Sequence, residues 1–378
     1  MSFLPRRRFL FLYSTTGAGH RAAALAIRDA LHSRYGSRAE VILCDGLQAL
    51  RLWPLDRFPR WWPFMVRLGG VPWGAFYRLT NSPALQQMLA RSLLPLTGAA
   101  VGRLLLENPA DVVVSLHPLF THTFGSVLRR RIQPPPLVSV VLDLVSIHAA
   151  WCSPDCTQIF VPTPQAAARA LAWGISPERL ECAGLPIHPR FAATAQLDPA
   201  DVRVQLGLPA EGPVILVAGG GDAGGPLFKV IRAIAARLPE ACLVVIAGNN
   251  ARLRQVLAEQ IRVAHIEGFV ENMDMWMRAA DVLLTKAGPN TVAEALVMGL
   301  PMVLYHVIPG QETGNVKWLL NQGAGFWAPN PERAATTVAT LLAEPRLRAE
   351  MSAAARALAR PASAIVIGDA LWKLANRA

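Results

Sequence analysis

The sequence predicts an α/β protein of two domains, each built on a parallel sheet. Three observations carry this. Short apolar runs alternate with helix-length segments over most of the chain, the pattern of strand-helix-strand units. The chain has 378 residues, more than a single hydrophobic core normally sustains. Glycine-rich turns follow strand candidates in both halves, at the point where a parallel sheet hands its chain to a helix.

In the first half, strands are expected over residues 8–14, 39–44, 111–116, 137–142 and 157–161. In the second half they are expected over 213–218, 242–247, 261–266, 281–285, 301–305 and 324–327. Between the two sets, Phe191 to Pro199 is a stretch of polar and small residues without a strong period, read as the linker. The first domain is therefore drawn as 1–195 and the second as 196–360. A last helix, 361–378, is expected to pack back on the first domain.

Hydrophobic residues make up 52% of the chain and charged residues 17%, with a mean hydropathy of +0.31. No uninterrupted apolar run reaches the roughly 18 residues a spanning helix requires. The expectation is a protein that touches a membrane without crossing it. Arg6, Arg7 and Arg8 precede a five-residue apolar run that ends in Ser-Thr-Thr-Gly, too short for a signal peptide, so a cytoplasmic location is expected. Thirty-seven Lys and Arg against 26 Asp and Glu give +11, which favours an anionic partner: nucleic acid, an anionic lipid surface or a phosphorylated substrate. The aromatic residues match no RNA-reading signature, and nucleic acid is set aside. Cys44, Cys152, Cys156, Cys182 and Cys242 complete no zinc spacing and read as reduced structural thiols; no metal is expected.

Residues 47–96 break the alternation. Trp53, Trp61, Trp62 and Trp73 lie here beside Phe58, Phe64 and Phe76, and six arginines, Arg51, Arg57, Arg60, Arg67, Arg78 and Arg91, face only Asp56. Indole rings and guanidinium groups interleaved in this way suit the boundary between acyl chains and headgroups. The competing reading is a helical excursion whose aromatics serve as core.

Two regions carry chemistry. The first is Ser14-Thr15-Thr16-Gly17-Ala18-Gly19-His20, between the run Phe9–Tyr13 and an alanine-rich helix. Gly17 and Gly19 let backbone approach a ligand and expose amides at a helix start. The turn lacks the Lys-Ser/Thr pair of a phosphate P-loop. His20 heads the stripe Ala24, Ile27 and Leu31, and an imidazole there can act as a general base. A plain capping or buried histidine is the other reading.

The second region begins with the strand Val214–Ala218 and the turn Gly219-Gly220-Gly221, whose amides suit a diphosphate. Ala247-Gly248-Asn249-Asn250 and Glu267-Gly268-Phe269-Val270 each follow a strand. Then Lys286-Ala287-Gly288-Pro289-Asn290-Thr291 ends a strand and opens a helix with free amides and a favourable dipole. Glu294 lies one turn in, where a carboxylate can accept from a ribose diol. Gln311, Glu312 and Asn315 follow Gly310 with groups that read sugar hydroxyls.

These motifs, in this order, resemble glycosyltransferase family 28, and most closely the monogalactosyldiacylglycerol synthases and bacterial diacylglycerol glucosyltransferases. Leu142-Asp143-Leu144, with His148 and Trp151, is similar to the family's Thr-Asp-Leu…His…Trp segment, and Gly184-Leu185-Pro186-Ile187 to its Gly-Leu-Pro-Ile turn. The resemblance implies a GT-B fold, two Rossmann-like domains with a cleft between them, the first holding a lipid acceptor and the second a nucleotide sugar. It implies that Gly268, Phe269 and Val270 border uracil and that Glu294 meets the ribose. The amides around Gly219–Gly221 and Gly288–Thr291 would meet the diphosphate, and Gln311, Glu312 and Asn315 the donor ribose and sugar. Asn249 and Lys286 join that donor set. Gly17, Gly19, His148, Trp151, Trp53, Trp61, Trp62, Arg57, Arg60 and Arg67 form the acceptor and membrane set. Ala18 stands where the family usually has a third glycine, and Asn290 where a second glycine after Gly288-Pro289 is common. The segment 247–250 lacks an arginine found in the plant enzymes.

The expected reaction is inverting transfer of a hexose, galactose before glucose, from a UDP-sugar to the 3-hydroxyl of diacylglycerol, without a cofactor. His20 is the first choice of base and Asp143 the second, which instead can orient the acceptor or His20. The alternatives are a UDP-N-acetylglucosamine transferase, a 2-epimerase-like enzyme, and a catalytically silent sensor of lipid or nucleotide.

Overall fold

The computed structural model describes residues 6–15, 17–51, 55–57, 71–220, 226–261 and 265–377. Of the expected site residues, Trp53, Arg60, Trp61, Trp62, Arg67 and Gly221 lie outside these ranges. The chain divides into two compact units, one of residues 1–189 with 362–378 and the other of residues 190–361. Among the described residues each unit holds one six-stranded parallel sheet.

In the first unit, β1 (Arg7–Tyr13), β2 (Ala39–Asp45), β3 (Val112–Ser115), β4 (Leu137–Val140), β5 (Gln158–Val161) and β6 (Leu180–Cys182) stand in the order β2-β1-β3-β4-β5-β6. Phe9, Leu10, Phe11, Leu12 and Val112, Val113, Val114 are fully buried. Helices cover both faces of a parallel sheet, so its central strands are uninterrupted apolar runs, which made them visible in the sequence. The strand β6 was not anticipated. Its three residues, Leu-Glu-Cys, pair only with β5 at the sheet edge and are too few for either an apolar run or an alternation.

The helix Ser363–Ala375 belongs to this unit and lies against the helix Ala18–Tyr35. Trp372 stacks on Tyr35 at 4.1 Å and 9°, and Arg38 stands 5.4 Å over the same indole. Asp369 accepts hydrogen bonds from the Tyr35 hydroxyl at 2.7 Å and from Arg34 Nη2 at 2.9 Å.

Within the 47–96 excursion the described residues include the helices Gly46–Leu50 and Val71–Thr80 and the start of Pro83–Glu107. This last helix has 25 residues, and most of its apolar stretch is not buried within the protein. By length and composition alone it meets the requirement for a membrane span, although Gln86, Gln87, Arg91 and Arg103 interrupt it.

In the second unit, β7 (Val214–Ala218), β8 (Cys242–Ile246), β9 (His265–Glu267), β10 (Val282–Lys286), β11 (Met302–His306) and β12 (Gly325–Trp327) take the order β12-β11-β10-β7-β8-β9. Read from the other edge, this is the 3-2-1-4-5-6 order of dinucleotide-binding sheets. Its core joins Ile215, Val217, Leu243, Val245, Val282, Leu284 and Val303 to the helices that cover them.

The stretch expected to be a linker is part of this second unit. Residues 191–194 lie in the helix Arg190–Thr194, residues 195–198 form a turn, and Pro199 opens the helix Pro199–Gln205. Phe191 is buried, and Thr194 Oγ1 donates to Asp274 Oδ2 at 2.7 Å. Arg203 Nε donates to the Ala279 carbonyl at 2.8 Å and Nη2 to Asp281 at 3.0 Å. The compact unit thus begins at Arg190 and not at residue 196. Phe191 and Thr194 are tied into the core of this unit, Thr194 through the buried Asp274, a role that composition does not reveal.

Trp372→Ala is expected to destabilise the first unit by about 1–3 kcal/mol, from the lost stacking and part of the burial of a large ring. The measurement is a lower urea midpoint at unchanged slope.

Candidate functional site

Each sheet has a place where adjacent central strands send the chain to opposite sides, and ligands of open α/β folds bind at the carboxyl ends of those strands. In the first unit the place lies between β1 and β3, and in the second between β7 and β10.

Beyond β1, Asp45 at the end of β2 ties down the turn. Its Oδ2 accepts from Thr15 N at 3.2 Å and Thr15 Oγ1 at 2.9 Å. Gly17 then takes φ 137°, a conformation L side chains rarely adopt, and the helix begins at Ala18. This brings His20 to Leu116, just beyond β3, with Nδ1 at 2.7 Å from the Leu116 carbonyl oxygen. A carbonyl only accepts, so Nδ1 carries the proton and Nε2 keeps its lone pair. Burial lowers the His20 pKa to about 4 against the bond to Leu116, which raises it; the ring is neutral at pH 7.

His117 was missed by the sequence reading. It caps the helix Pro118–Leu128 by accepting from Leu119 N at 3.3 Å, and its ring centroid lies 4.7 Å from that of His20. Burial first, and His20 second, hold its pKa well below the usual histidine range. The available signal was a histidine before a proline at the end of the run Val112–Ser115, the same strand-to-helix junction that drew attention to His20.

Asp143 serves a different cluster. Trp151 Nε1 donates to Asp143 Oδ2 at 2.8 Å. The Tyr77 hydroxyl lies 3.2 Å from the same oxygen and 2.5 Å from the Ser146 carbonyl oxygen. Burial, with the Asp143 charge second, raises the Tyr77 pKa well above the usual phenol range, so this hydroxyl remains a donor. The orienting partner of His20 is the Leu116 carbonyl, and Trp151, which donates to Asp143, has its ring centroid 6.3 Å from the His20 ring. His148 has both nitrogens engaged: Nδ1 accepts from Ala150 N at 3.1 Å, and Nε2 lies 3.1 Å from the Tyr77 carbonyl and 3.1 Å from Thr80 Oγ1. Burial lowers its pKa to about 4. It pins the helix Val71–Thr80 to the loop that carries Trp151. Arg57 is exposed on a short turn.

In the second unit, Thr285 Oγ1 donates to the Ala218 carbonyl at 2.8 Å and ties the ends of β7 and β10 together. Gly219 and Gly220 follow β7, with Gly220 at φ +78°. The Lys286 side chain crosses this turn. A Cβ on Gly220 would meet Lys286 Cε at 3.1 Å, and one on Gly288 would meet Nζ at 3.0 Å. Lys286 Nζ donates to Glu312 Oε1 at 2.5 Å, and Glu312 Oε2 accepts from Ile308 N at 2.8 Å. Asn315 Nδ2 donates to the Ala287 carbonyl at 2.9 Å, while its buried Oδ1 has no partner among the described residues, an acceptor open to a ligand hydroxyl. The helix Pro289–Met298 opens with Pro289, Asn290 and Thr291 under the Gly288 cap. Gln311 precedes Glu312 on the approach to the helix Thr313–Asn321.

Other expected donor residues lie apart from this cluster. Asn249 is exposed after β8, and Phe269 is 61% exposed after β9, beside Gly268 and Val270. Gly268 has a neighbour the sequence reading missed: a Cβ there would meet Arg254 Nη1 at 3.2 Å and the Gly248 carbonyl at 3.7 Å. An arginine therefore does border the 247–250 segment, supplied from the first turn of the following helix. Glu294 is grouped with Arg190 and Asp274. Burial pushes its carboxyl up to about 8; Arg190 opposes the rise and Asp274 adds to it. No group of three or more metal-ligating side chains occurs among the described residues.

The Glu294 shift has a definite sign. Between its unfolded value of 4.5 and its native value of about 8, the native state binds a proton the unfolded chain releases. Its contribution is complete below pH 4.5 and is lost as pH rises through 8. Glu294→Gln should gain about 1–3 kcal/mol over the parent between pH 5 and pH 8. Paired thermal melts at the two pH values measure this.

Residues 20–187 match the family model described as monogalactosyldiacylglycerol (MGDG) synthase, and residues 214–364 match the glycosyltransferase family 28 C-terminal domain. A probable chloroplastic monogalactosyldiacylglycerol synthase 2 of Oryza sativa subsp. japonica is 36% identical over 344 residues, 88% of this chain and 73% of its own. Among solved structures, MurG of Acinetobacter baumannii has a TM-score of 0.61 at 16% identity, over 98% of this chain and 100% of its own. The UDP-GlcNAc 2-epimerase of Neisseria meningitidis, solved with UDP-GlcNAc, has a TM-score of 0.61 at 12% identity, over 97% and 100%. These two share the two-domain α/β GT-B architecture. By sequence, fold and the order of its strand-end motifs, the chain belongs to the monogalactosyldiacylglycerol synthase family of glycosyltransferases.

Proposed function

We propose that this protein transfers galactose, or glucose in its place, from the UDP-sugar to the 3-hydroxyl of diacylglycerol with inversion, giving a β-linked monoglycosyldiacylglycerol and UDP. The observation that carries the reaction type is the tautomer of His20. With its proton held at Nδ1 by Leu116, Nε2 is free to take the hydroxyl proton as the new bond to the anomeric carbon forms. The hydroxyl becomes acidic only as it attacks, so a weak base that is always neutral is adequate.

Breaking the bond between the anomeric carbon and the phosphate oxygen leaves negative charge on UDP. Lys286, the amides at Gly219 and Gly220, and the start of the helix Pro289–Met298 offer positive charge and dipoles to that oxygen. The reading therefore needs no metal. Glu294 is assigned to the ribose, Phe269 to uracil, and Glu312, Asn315 and Gln311 to the sugar.

In the same reading the protein is cytoplasmic and rests on the membrane face without crossing it. Leu79, 78% exposed, and Phe76 lie on the helix Val71–Thr80, while Leu89, Leu93 and Leu96 follow i, i+4, i+7 spacing on the next helix, all exposed. Arg78 and Arg91 are exposed beside them. Apolar groups flanked by arginines favour a lipid surface with anionic headgroups. At its far end the long helix buries Val101, Leu104 and Leu105 in the unit, which keeps it on the protein. Replacing both Leu79 and Leu96 by serine is expected to reduce sedimentation with phosphatidylglycerol vesicles about tenfold or more, given ~1.5–3 kcal/mol for each buried leucine.

The decisive assay supplies diacylglycerol vesicles with equal UDP-galactose and UDP-glucose carrying distinguishable isotopes, and identifies products by mass spectrometry. A hexosyl-diacylglycerol supports the reading and its label names the sugar; UDP released without glycolipid overturns it. His20→Ala should lower kcat by ~10² to 10⁴-fold. The parent rate should stay level from pH 8 to 5, because the base protonates only near 4.

A further inference from the structure

The same cation that faces the glycine turns is already engaged. Lys286 Nζ is bonded to Glu312 Oε1 at 2.5 Å, and the Glu312 side chain is only 3% exposed. Its other oxygen holds Ile308 N. The register of β10 against β11 shifts between Thr285 and Lys286, an irregularity that re-aims the side chain leaving the strand. Glycines at 220 and 288 clear its path.

We propose that the Lys286–Glu312 pair is a latch that makes recognition of the diphosphate and of the sugar depend on each other. This deepens the donor reading given above and rests on it. A diphosphate at the glycine turns attracts Lys286 with more negative charge than one carboxylate carries. When the lysine turns to it, Glu312 keeps the Ile308 amide on Oε2 but is left buried with Oε1 unpaired, and a buried carboxylate oxygen without a donor is costly. Sugar hydroxyls are donors. A nucleotide carrying a hexose restores the bond that Glu312 lost, with the open Asn315 Oδ1 as a second acceptor three residues on. A nucleotide diphosphate without the sugar does not. The latch therefore favours UDP-hexose over UDP, binding the substrate and weakening the hold on the product from one contact. Glu312 becomes the residue that sets this discrimination, and Lys286 the one that couples it to charge.

The test is calorimetric titration with UDP and with UDP-galactose. In Glu312→Gln the amide oxygen still accepts from Ile308 N, yet it neither binds the lysine as an ion nor needs a cation when the lysine leaves. UDP is expected to bind about tenfold or more tightly to this variant, the worth of one charge-assisted hydrogen bond no longer broken, while the preference for UDP-galactose over UDP shrinks by a similar factor. Lys286→Met should weaken UDP about tenfold. In the double variant the gain from Glu312→Gln should vanish, because a coupled pair does not add. UDP affinity unchanged or reduced in Glu312→Gln, or an equal gain with and without Lys286, overturns the latch while leaving the donor reading intact. If the parent binds neither nucleotide, the donor reading falls and the latch with it. Should Glu312→Gln fail to fold by circular dichroism, Glu312→Ala, made alone and together with Lys286→Met, supplies the same cycle.

Discussion

The carboxyl ends of parallel strands govern the chemistry of this chain. Where β1 and β3, or β7 and β10, send their continuations to opposite sides of a sheet, the backbone leaves the ladder and its amides lose their partners. Something must satisfy them or leave them for a ligand. In the first unit the Leu116 carbonyl, one residue past β3, meets His20 Nδ1, so a main-chain group that has left the sheet fixes the tautomer of the candidate base. In the second unit Thr285 closes the gap between β7 and β10, and the chain beyond them turns at Gly219 and Gly220 and, past Lys286, at Gly288, whose amide donates to the Lys286 carbonyl at 2.7 Å.

Polar groups in the first unit show how far a buried charge reaches. Asp143 lies deep enough to need donors, and it takes them from Trp151 and Tyr77. These donors come from different parts of the chain, one from the loop beside His20 and one from the helix Val71–Thr80. Tyr77 and Thr80 face inward to the Asp143 and His148 cluster, while Phe76 and Leu79 face outward. A ten-residue helix thus carries apolar groups turned outward and one donor of a buried carboxylate turned inward. In the second unit Glu312 solves the same problem with a lysine and one amide.

Much of this was legible in sequence because the relevant residues are neighbours along the chain. The central strands were visible as continuous apolar runs, and Gly17, Gly220 and Gly288 as turns that follow them. His20 was singled out because it heads a helix after such a turn. His117 has an equivalent position and escaped notice because a histidine followed by proline has no glycine to announce it. β6 is too short to register, and residues 191–199 read as a linker because nothing in their small side chains reveals that Thr194 meets the buried Asp274.

The features that sequence alone established are local: the order of motifs along the chain, the two families of glycine turns, the basic aromatic excursion, and the resemblance that pointed to the class of enzyme. They depend on side-chain periodicity and on spacing over at most a few turns. Pairing between distant positions emerged only from the folded chain. That His20 is held by a carbonyl 96 residues away, that Asp143 serves Tyr77 and Trp151 in preference to His20, and that Lys286 is bonded to Glu312 all follow from which strand ends lie side by side. Strand order is set by crossover connections and by packing of whole layers, and no window of sequence contains it.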